Sequence, residues 1–415
     1  MYLKITNPGI CHPAAFTVLG VSTARGDSNK IGQFGSGFKM GINTCLRFGI
    51  NPIIASGNST ITFDCVQKLM GDKPYNQVLA IVDGQKQELG FCTEFGAIDW
   101  DKIDYAVREF VSNAYDQGGC NLSIVDKVDH SVDSTSVYVE YSADVQRYHE
   151  NIKTYFMDQK LAKISCVLDN NSDKLLVYRK GVLVHEQPKK SLFSYNINDI
   201  RVDESRNVDS WLASYRCAMM IDKCSNEQLD RLTMAIVDGE DYAEVGLDYD
   251  YFPAEKLADS FKRVYPRMKV CTKDIYRFCK NKNNVINVSL KAYKLFARSL
   301  DIIAEVEGGI RGATNGYMPT EISADCKRIF NRVWNKVVKL GLHNGKVKPG
   351  LAMYAKPMDS GCQVGGYYED DTVYIERNSV NAKVILEEIG HYVTGASDCT
   401  RDFQDWAFNV ASCYM

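Results

Sequence analysis

The sequence predicts an α+β protein built from several domains. Its 415 residues exceed what one hydrophobic core usually holds, so two to four domains are expected. With 45% apolar and 24% charged residues, the composition is that of an ordinary globular chain. Strand-like alternation dominates residues 135–205, and apolar residues at helical spacing dominate residues 208–345. Because strand-rich and helix-rich stretches follow one another, we expect an α+β fold.

The net charge and the cysteines restrict the function classes. A net charge of −3 gives no indication of a nucleic-acid or membrane surface. The apolar runs are far shorter than a membrane span, and the first residues, MYLKITNPG, lack the features of a signal peptide. The 14 cysteines are scattered without a C-x-x-C pair, which indicates reduced, mostly buried thiols. We therefore expect a cytoplasmic protein.

Residues 1–150 are predicted to mix strands, glycine turns and helices. Strands and one hairpin are expected at residues 2–6, 53–55, 60–63 and 77–88. Helices are expected at residues 12–19 and 38–48. A further helix is predicted from Asp99, as its N-cap, to about Gln117, where Gly118 and Gly119 end it.

The later regions separate into strand-rich, helical and mixed parts. Strands are predicted at residues 136–141, 162–168 and 174–184. Helices are predicted at residues 288–305 and 323–340, and glycines and a proline in 341–350 indicate a boundary. The last part is expected to contain strands at 351–355 and 372–375, a helix at 379–394 and a second helix from about residue 400.

A glycine-rich segment, IGQFGSGFKMG, begins at Ile31. Gly32, Gly35 and Gly37 allow backbone N–H groups to approach a phosphate, and the following helix would add its dipole. A Rossmann turn would need a buried strand directly before it, and ARGDSNK stands there instead. A Walker loop would need its lysine one residue away from Lys39. Phosphate binding and a flexible loop packed on a helix both remain open.

The most informative pattern is E-x3-N-x2-D, formed by Glu109, Asn113 and Asp116. These spacings place the three side chains on one helix face. A carboxylate that activates water would then lie beside an amide and a carboxylate that hold a metal and its waters. The alternative interpretation is an amphipathic helix whose polar face is solvated.

Together, the two motifs resemble the Bergerat-fold ATPases, the GHKL group. The box EFVSNAYD matches their Glu–Asn helix, ITNPGI their adenine turn, VLGVSTARGDSNK their lid, and IGQFGSGFK their phosphate turn. The resemblance covers about residues 1–120 and implies a Bergerat-type α/β sandwich with ATP and Mg²⁺. It places cofactor-binding roles on Asn113, Asp116, Asn7, Gly9, Gly32, Gly35, Gly37, Phe38 and Lys39.

This chain departs from the GHKL pattern in two ways. The Glu–Asn helix follows the glycine boxes, so the domain resembles a circular permutant, which is tolerable when termini and loops lie at the surface. The adenine turn also lacks its aspartate. Asn7 stands near that place and offers a carbonyl oxygen that accepts a hydrogen bond from an amino group. The identity of the base is therefore open.

The resemblance implies a mechanism and an architecture. Asn113 would hold Mg²⁺, Glu109 would be the catalytic base, and a basic residue such as Arg179 or Lys180 would complete the site. The implied domains are an ATP-binding domain (1–150), a β-rich transducer-like segment (151–207), a helical domain (208–345) and a C-terminal domain (346–415). Such ATPases use hydrolysis to drive a conformational switch, act on a protein client and often form homodimers.

Near the C-terminus, the helix VILEEIGHYVTG resembles the H-E-x-x-H helix of zinc metallopeptidases. Glu388 matches the general base and His391 the second ligand, with Asp398 or Asp402 downstream, but Glu387 replaces the first histidine. Glu387, His391 and Asp398 would hold Zn²⁺ if the site is intact. The alternative is a degenerate domain in which His391 is hydrogen-bonded locally.

Three functions therefore remain in competition. The leading one is an ATPase. The others are an inactive nucleotide-binding or scaffold protein and a metal-dependent hydrolase acting through Glu388 and His391. The combination of the two domain types resembles proteins of large bacteriophages, which would place the protein in the host cytoplasm.

Overall fold

A computed structural model of the chain describes residues 1–18, 30–32, 35–95, 97–98, 100–170, 172–273, 276, 279, 282–299, 302–304, 317–356, 365–397 and 400–413. The chain divides into two compact units, Met1–Lys223 and Cys224–Met415. Both units contain helices and sheets, so the predicted α+β class is confirmed. Most of the predicted lid, the predicted cap Asp99 and the predicted ligand Asp398 lie outside the described residues.

The first unit contains a seven-stranded sheet. Its strands are β1 (Tyr2–Pro8), β2 (Ile53–Ser56), β3 (Ser59–Met70), β4 (Lys73–Val82), β5 (Gln85–Cys92), β6 (Asn121–Val125) and β7 (Ser134–Glu140). They lie in the order β5-β4-β3-β2-β7-β1-β6, and every neighbouring pair is antiparallel. The strands expected at residues 2–6, 53–55, 60–63 and 136–141 are confirmed, as is the hairpin at 77–88.

Helices pack against this sheet and form the main core with it. The helices of the first unit are α1 (Ala14–Thr17), α2 (Gly37–Arg47), α3 (Ile103–Asp116), α4 (Ala143–Glu150), α5 (Ile152–Tyr155), α6 (Gln159–Ala162) and α7 (Ser210–Met220), followed by a 3₁₀ turn at Ile221–Lys223. Gly41 of α2 permits a close approach to α3, because a Cβ there would overlap the ring of Phe110. Phe38 also packs on Phe110, with ring centroids 4.9 Å apart.

The start predicted for α3 is wrong. The helix begins at Ile103, and the N-cap residue is Lys102, whose side chain makes no capping bond. Burial of Ile103, Ala106 and Phe110 against the sheet fixes the helix here without a polar cap. The predicted end is confirmed, since α3 stops at Asp116.

A second, four-stranded sheet completes the first unit. Its strands are β8 (Cys166–Asp169), β9 (Leu175–Arg179), β10 (Val182–Gln187) and β11 (Phe193–Asn196), in the order β10-β9-β11-β8. The strand predicted at residues 162–168 is wrong in its first half. Asp158 caps the short helix α6 there, and pairing with β11 begins only at Cys166. The turn expected at Lys180-Gly181 is confirmed, with φ of 50° and 77°.

The second unit combines a helical part with another four-stranded sheet. Its helices are α8 (Asn226–Asp238), α9 (Ala243–Gly246), α10 (Ala254–Val264), α11 (Leu290–Phe296), α12 (Ala324–Lys339), α13 (Ala382–Thr394) and α14 (Arg401–Ser412), with 3₁₀ turns at Tyr249–Tyr251 and Lys282–Asn284. The strands β12 (Lys269–Thr272) and β13 (Val285–Val288) form a parallel pair. The strands β14 (Met318–Thr320), β15 (Gly350–Ala355), β16 (Gly366–Glu369) and β17 (Thr372–Glu376) form a sheet in the order β14-β15-β17-β16.

Most predictions for this unit are confirmed, but the helix predicted at residues 288–305 is confirmed only over Leu290–Phe296. Val288 ends a strand, Ser289 caps α11 through the amide of Ala292, and α11 ends at Phe296. The β-branched run before Ser289 pairs with β12, so tertiary pairing decides against helix there. Within the described part of the chain, we find no helix that combines the length and the apolar character needed to cross a membrane.

Candidate functional site

A cavity of about 310 Å³ lies in the first unit, between the start of α2, the helix α3 and the strands β1 and β7. Nine residues with a predicted catalytic or cofactor-binding role line it: Asn7, Gly32, Gly35, Gly37, Phe38, Lys39, Glu109, Asn113 and Asp116. Gly9 is not among the lining residues. Thr135, Glu204 and Arg206 line the cavity without having been predicted. The fold thus brings together two motifs that are 70 residues apart in the sequence.

The polar face of α3 is not a solvated surface. Glu109 is only 1% exposed, and its carboxylate lies against the backbone of Gly37 at the start of α2. A Cβ at position 37 would overlap Oε2 of Glu109, so only glycine permits this approach. Gly35 adopts a φ of +73°, which also favours glycine. Stereochemistry therefore explains why both positions are glycine, and at position 37 the constraint comes directly from Glu109.

Asp116 anchors the beginning of the glycine-rich segment to α3. Its two carboxylate oxygens accept hydrogen bonds from the backbone N–H groups of Ile31 and Gly32, each at 2.7 Å. Burial raises the pKa of Asp116 above its usual value, although the two amide hydrogen bonds act in the opposite direction. The role of Asp116 in this structure is therefore to hold the backbone of the glycine-rich segment.

Glu109 forms a buried ion pair with Arg206, which the sequence did not predict. Nε and Nη2 of Arg206 donate to Oε1 and Oε2 of Glu109, the latter bond being 2.9 Å long. Nη1 donates to the carbonyl oxygen of Ile31 at 2.9 Å. Burial alone would lower the pKa of Arg206, but the charge and hydrogen bonds of Glu109 raise it above its usual value. Arg206 therefore links the predicted base to the glycine-rich segment.

Arg206 comes from a turn after β11, formed by residues 203–207. Its own φ is +55°, and the amide of Asn207 donates to the carboxylate of Asp203. Within the turn, the carbonyl oxygen of Ser205 accepts a hydrogen bond from Nη2 of the buried Arg108. In the sequence, this polar stretch resembles any surface loop, so no local signal could have identified Arg206.

Of the two basic residues predicted to complete the site, Arg179 has the more unusual environment. It is 8% exposed, its Nε has no hydrogen-bond partner, and it forms no ion pair with any described residue. Burial, followed by the nearby charge of Arg206, lowers its pKa. Lys180 instead donates from Nζ to the carbonyl oxygen of Lys30 at 2.5 Å, beside the glycine-rich segment.

Lys39 contributes another buried positive charge to the cavity wall. It is 2% exposed, and its Nζ donates to the carbonyl oxygen of Gly35 at 3.2 Å. Burial lowers its pKa to about 8. Lys39 is therefore not a solvated side chain at the start of α2.

The buried charges of the first unit are mostly positive. Among its described residues, the buried charged side chains are Lys39, Arg108, Arg179, Arg206 and Glu109. The half-buried carboxylates Asp104 and Asp116 lie near this group. Counting these two and Glu204, an exposed carboxylate on the cavity wall, the group holds four cations and four carboxylates. The four cations are nevertheless the more deeply buried charges, and burying a charge is costly unless it is closely paired, so this arrangement favours the binding of an anion.

The opposite end of the cavity contains Asn7 on β1. Its Nδ2 donates to the carbonyl oxygen of Pro8 at 2.8 Å, which leaves Oδ1 of this cavity-lining residue as a hydrogen-bond acceptor. Asn7 pairs in register with Thr135, whose hydroxyl donates to the carbonyl oxygen of Gly9 at 2.9 Å. Gly9, with a φ of +85°, therefore shapes this turn from outside the cavity.

The C-terminal motif does not assemble a comparable site. Glu387 is exposed on α13, whereas His391 is buried, stacked on Phe403 at 4.1 Å. Nδ1 of His391 lies 2.8 Å from the carbonyl oxygen of Ala396, which can only accept, so this nitrogen is the donor. The described residues contain no group of three or more histidine, cysteine, aspartate or glutamate side chains that could hold a metal ion. Since Asp398 lies outside those residues, the predicted Zn²⁺ site stays a prediction without support.

Comparison of the chain with protein-family models and with curated protein sequences gives no match.

Proposed function

We propose that the cavity of the first unit binds adenosine triphosphate and hydrolyses its terminal phosphoanhydride bond. The observation that carries the proposal is the predominance of positive charge among the buried side chains. It includes Arg179, which does not line the cavity but lies near Arg206, and whose Nε is buried without a hydrogen-bond partner. Folding leaves such a charge buried only at a cost, which an anionic ligand offsets. A polyphosphate supplies that charge, and the glycine-rich segment lies on the same cavity.

The phosphates would lie at the start of α2. The N–H groups of Gly37, Phe38 and Lys39 belong to its first turn and have no partner within the helix, so they favour an anion. Lys39 adds its ammonium group from the same turn. Because Lys39 and Glu109 at this end of the cavity are buried, each of these interactions is stronger than at an exposed surface.

The base would lie between β1 and α3. Ile5, Val137 and Ala114 provide apolar walls there. Oδ1 of Asn7 is an acceptor, which suits the exocyclic amino group of adenine. Guanine also carries an amino group, so a comparison of ATP with GTP tests this assignment.

In the proposed reaction, the oxygen of a water molecule attacks the γ-phosphorus while the bond to the β–γ bridging oxygen breaks. Glu109 accepts the proton of the water, and ADP leaves with the bridging oxygen. Asn113 fits the predicted Mg²⁺, because its Nδ2 donates to the carbonyl oxygen of Glu109 at 2.7 Å and leaves Oδ1 as an oxygen ligand. When bound, Mg²⁺ would neutralise phosphate charge. Coupling of hydrolysis to a conformational switch stays a prediction.

The proposal is tested by substitution of Arg179. Arg179→Met removes a buried charge and keeps an apolar side chain of similar length. We expect it to raise the melting temperature of the nucleotide-free protein and to weaken ATP binding by about tenfold. Differential scanning fluorimetry and titration calorimetry with ATP, ADP, AMP and GTP measure both effects.

The matched control is Arg332→Met, because Arg332 is exposed on α12 of the second unit. This control should change neither quantity. If wild type binds no ATP, the proposed function fails. If Arg179→Met lowers the melting temperature and leaves ATP affinity unchanged, Arg179 is structural, and the observation that carries the proposal fails.

One observation favours a second candidate, a protein that holds ATP without turning it over. Both carboxylate oxygens of Glu109 are bonded to Arg206 in this structure. If that pair persists when nucleotide is bound, Glu109 cannot act as the base. ATP binding without phosphate release would then support this candidate.

A further inference from the structure

Building on the proposed function, we infer that Arg206 serves two anions in turn. It pairs with Glu109 in the nucleotide-free protein and transfers to the terminal phosphoryl group when a triphosphate enters. Glu109 is thereby released to act as a base only while a triphosphate occupies the cavity. Arg206 would be both a residue that contacts the substrate and the residue that keeps the empty site silent.

The geometry of the pair supports the silent state. Each oxygen of Glu109 accepts one N–H of the same guanidinium, and the backbone of Gly37 lies against Oε2. The carboxylate is 1% exposed. A water that is to lose a proton to Glu109 must reach an oxygen that the guanidinium already holds, so the ion pair hinders the base while Arg206 stays in place.

The position of Arg206 suits a transfer. Arg206 lines the same cavity as the glycines and Lys39, where the phosphates are predicted to bind. It belongs to a turn and not to a helix or strand, and its side chain has several rotatable bonds. Its third contact, to the carbonyl oxygen of Ile31, can be lost without freeing the glycine-rich segment, because Asp116 holds the amides of Ile31 and Gly32.

The neighbouring charges favour the same movement. Arg179 lies close enough to Arg206 for the two positive charges to repel each other. Arg108 likewise interacts with both Glu109 and Arg206. When Arg206 turns toward a phosphate, Arg108 remains as a buried cation within electrostatic range of Glu109. The buried Glu109 is therefore not left without a cation after the transfer.

The decisive experiment is a double-mutant cycle on binding. Affinities for ADP and for a non-hydrolysable ATP analogue are measured by calorimetry for wild type, Glu109→Gln, Arg206→Gln and the double variant. Arg206→Gln should weaken the triphosphate by about tenfold and leave ADP unchanged. Glu109→Gln should strengthen the triphosphate by about tenfold, because Arg206 no longer has to leave a carboxylate.

The double variant separates the exchange from simple repulsion between Glu109 and the phosphate. If Arg206 is exchanged, Glu109→Gln gives no gain in the Arg206→Gln background. If repulsion is the cause, the gain in that background is at least as large as in wild type, and the inference is overturned. The double variant retains a neutral hydrogen-bonding pair, so it serves as the folded reference.

A second measurement needs no nucleotide. In thermal denaturation, Glu109→Gln and Arg206→Gln should each lower the melting temperature, and the double variant should lose less than their sum. Additive losses would mean that the pair is absent in the free protein, which overturns the inference.

Arg206→Lys is the variant to measure if Arg206→Gln does not fold. It keeps the charge but cannot grip both carboxylate oxygens, so it should preserve part of the preference for triphosphate over ADP. If wild type binds no triphosphate, the proposed function is refuted. If wild type binds triphosphate, and the Arg206 variants prefer triphosphate over ADP to the same degree as wild type, only the exchange is refuted.

Discussion

The helices α3 and α13 both carry a sequence motif at helical spacing, but their surroundings in the fold differ. On α3, Glu109 meets the backbone of α2 and the guanidinium of Arg206, and Asp116 holds the glycine-rich segment. On α13, Glu387 is exposed and His391 is stacked on Phe403. The comparison teaches that helical spacing alone does not make a site. Groups from other elements must converge on the same face.

The largest expected effect is on the rate of phosphate release, which the conservative substitution Glu109→Gln on α3 should lower. Glutamine keeps the shape of the side chain but cannot accept the proton of water at neutral pH. We expect phosphate release to fall by about 10³-fold while triphosphate binding is not weakened. A coupled phosphate-release assay measures the first quantity and calorimetry the second.

The matched control for this prediction lies on the other helix. Glu387→Gln changes the same group on α13 and should leave phosphate release at the wild-type rate. Equal turnover of the Glu109 variant and wild type would remove Glu109 from the mechanism. If protein purified without a metal-affinity tag contains stoichiometric zinc, α13 also forms a site, and the contrast between the two helices no longer holds.

A substitution that moves Glu109 without changing it should have a smaller effect. In Gly37→Ala, the new Cβ would overlap Oε2 of Glu109 and displace the carboxylate. We expect turnover to fall by about 10²-fold, since misplacement of a reacting group by about 1 Å has that order of effect. Gly90→Ala, on an exposed strand with open space at its Cβ, is the control. Wild-type turnover in Gly37→Ala would show that Glu109 tolerates displacement.

The smallest expected effect is a pH dependence caused by Lys39. Its pKa is about 8 in the free protein, and a bound phosphate would favour the protonated ammonium form. Binding then takes up a proton above pH 8, so triphosphate affinity should fall severalfold between pH 7.5 and about pH 9. Lys39→Met should bind more weakly at pH 7.5 and lose this dependence. A wild-type affinity that is constant over this range would exclude contact of the Lys39 ammonium with the phosphates.

The sequence determined much of the first unit. Alternation in residues 2–6 and the glycines after Asp116 predicted a strand and a helix end that the fold confirms. It also identified nine of the cavity-lining residues, because glycines and carboxylates at fixed spacing are local signals. The helix predicted at 288–305 is confirmed only over Leu290–Phe296. Its start is later than predicted because Val288 pairs with β12, and no local pattern reveals that pairing.

Only the tertiary structure decided what surrounds those residues. Arg206 lies 97 positions from Glu109 in the sequence, in a polar turn without any distinguishing local pattern, yet it grips both oxygens of that carboxylate. The unpaired state of Arg179 is equally invisible in the sequence, since it depends on which groups fail to reach a buried side chain. Spacing along a helix specifies which side chains share a face. Burial and long-range pairing decide which of those side chains acquire a charge partner and which still need one.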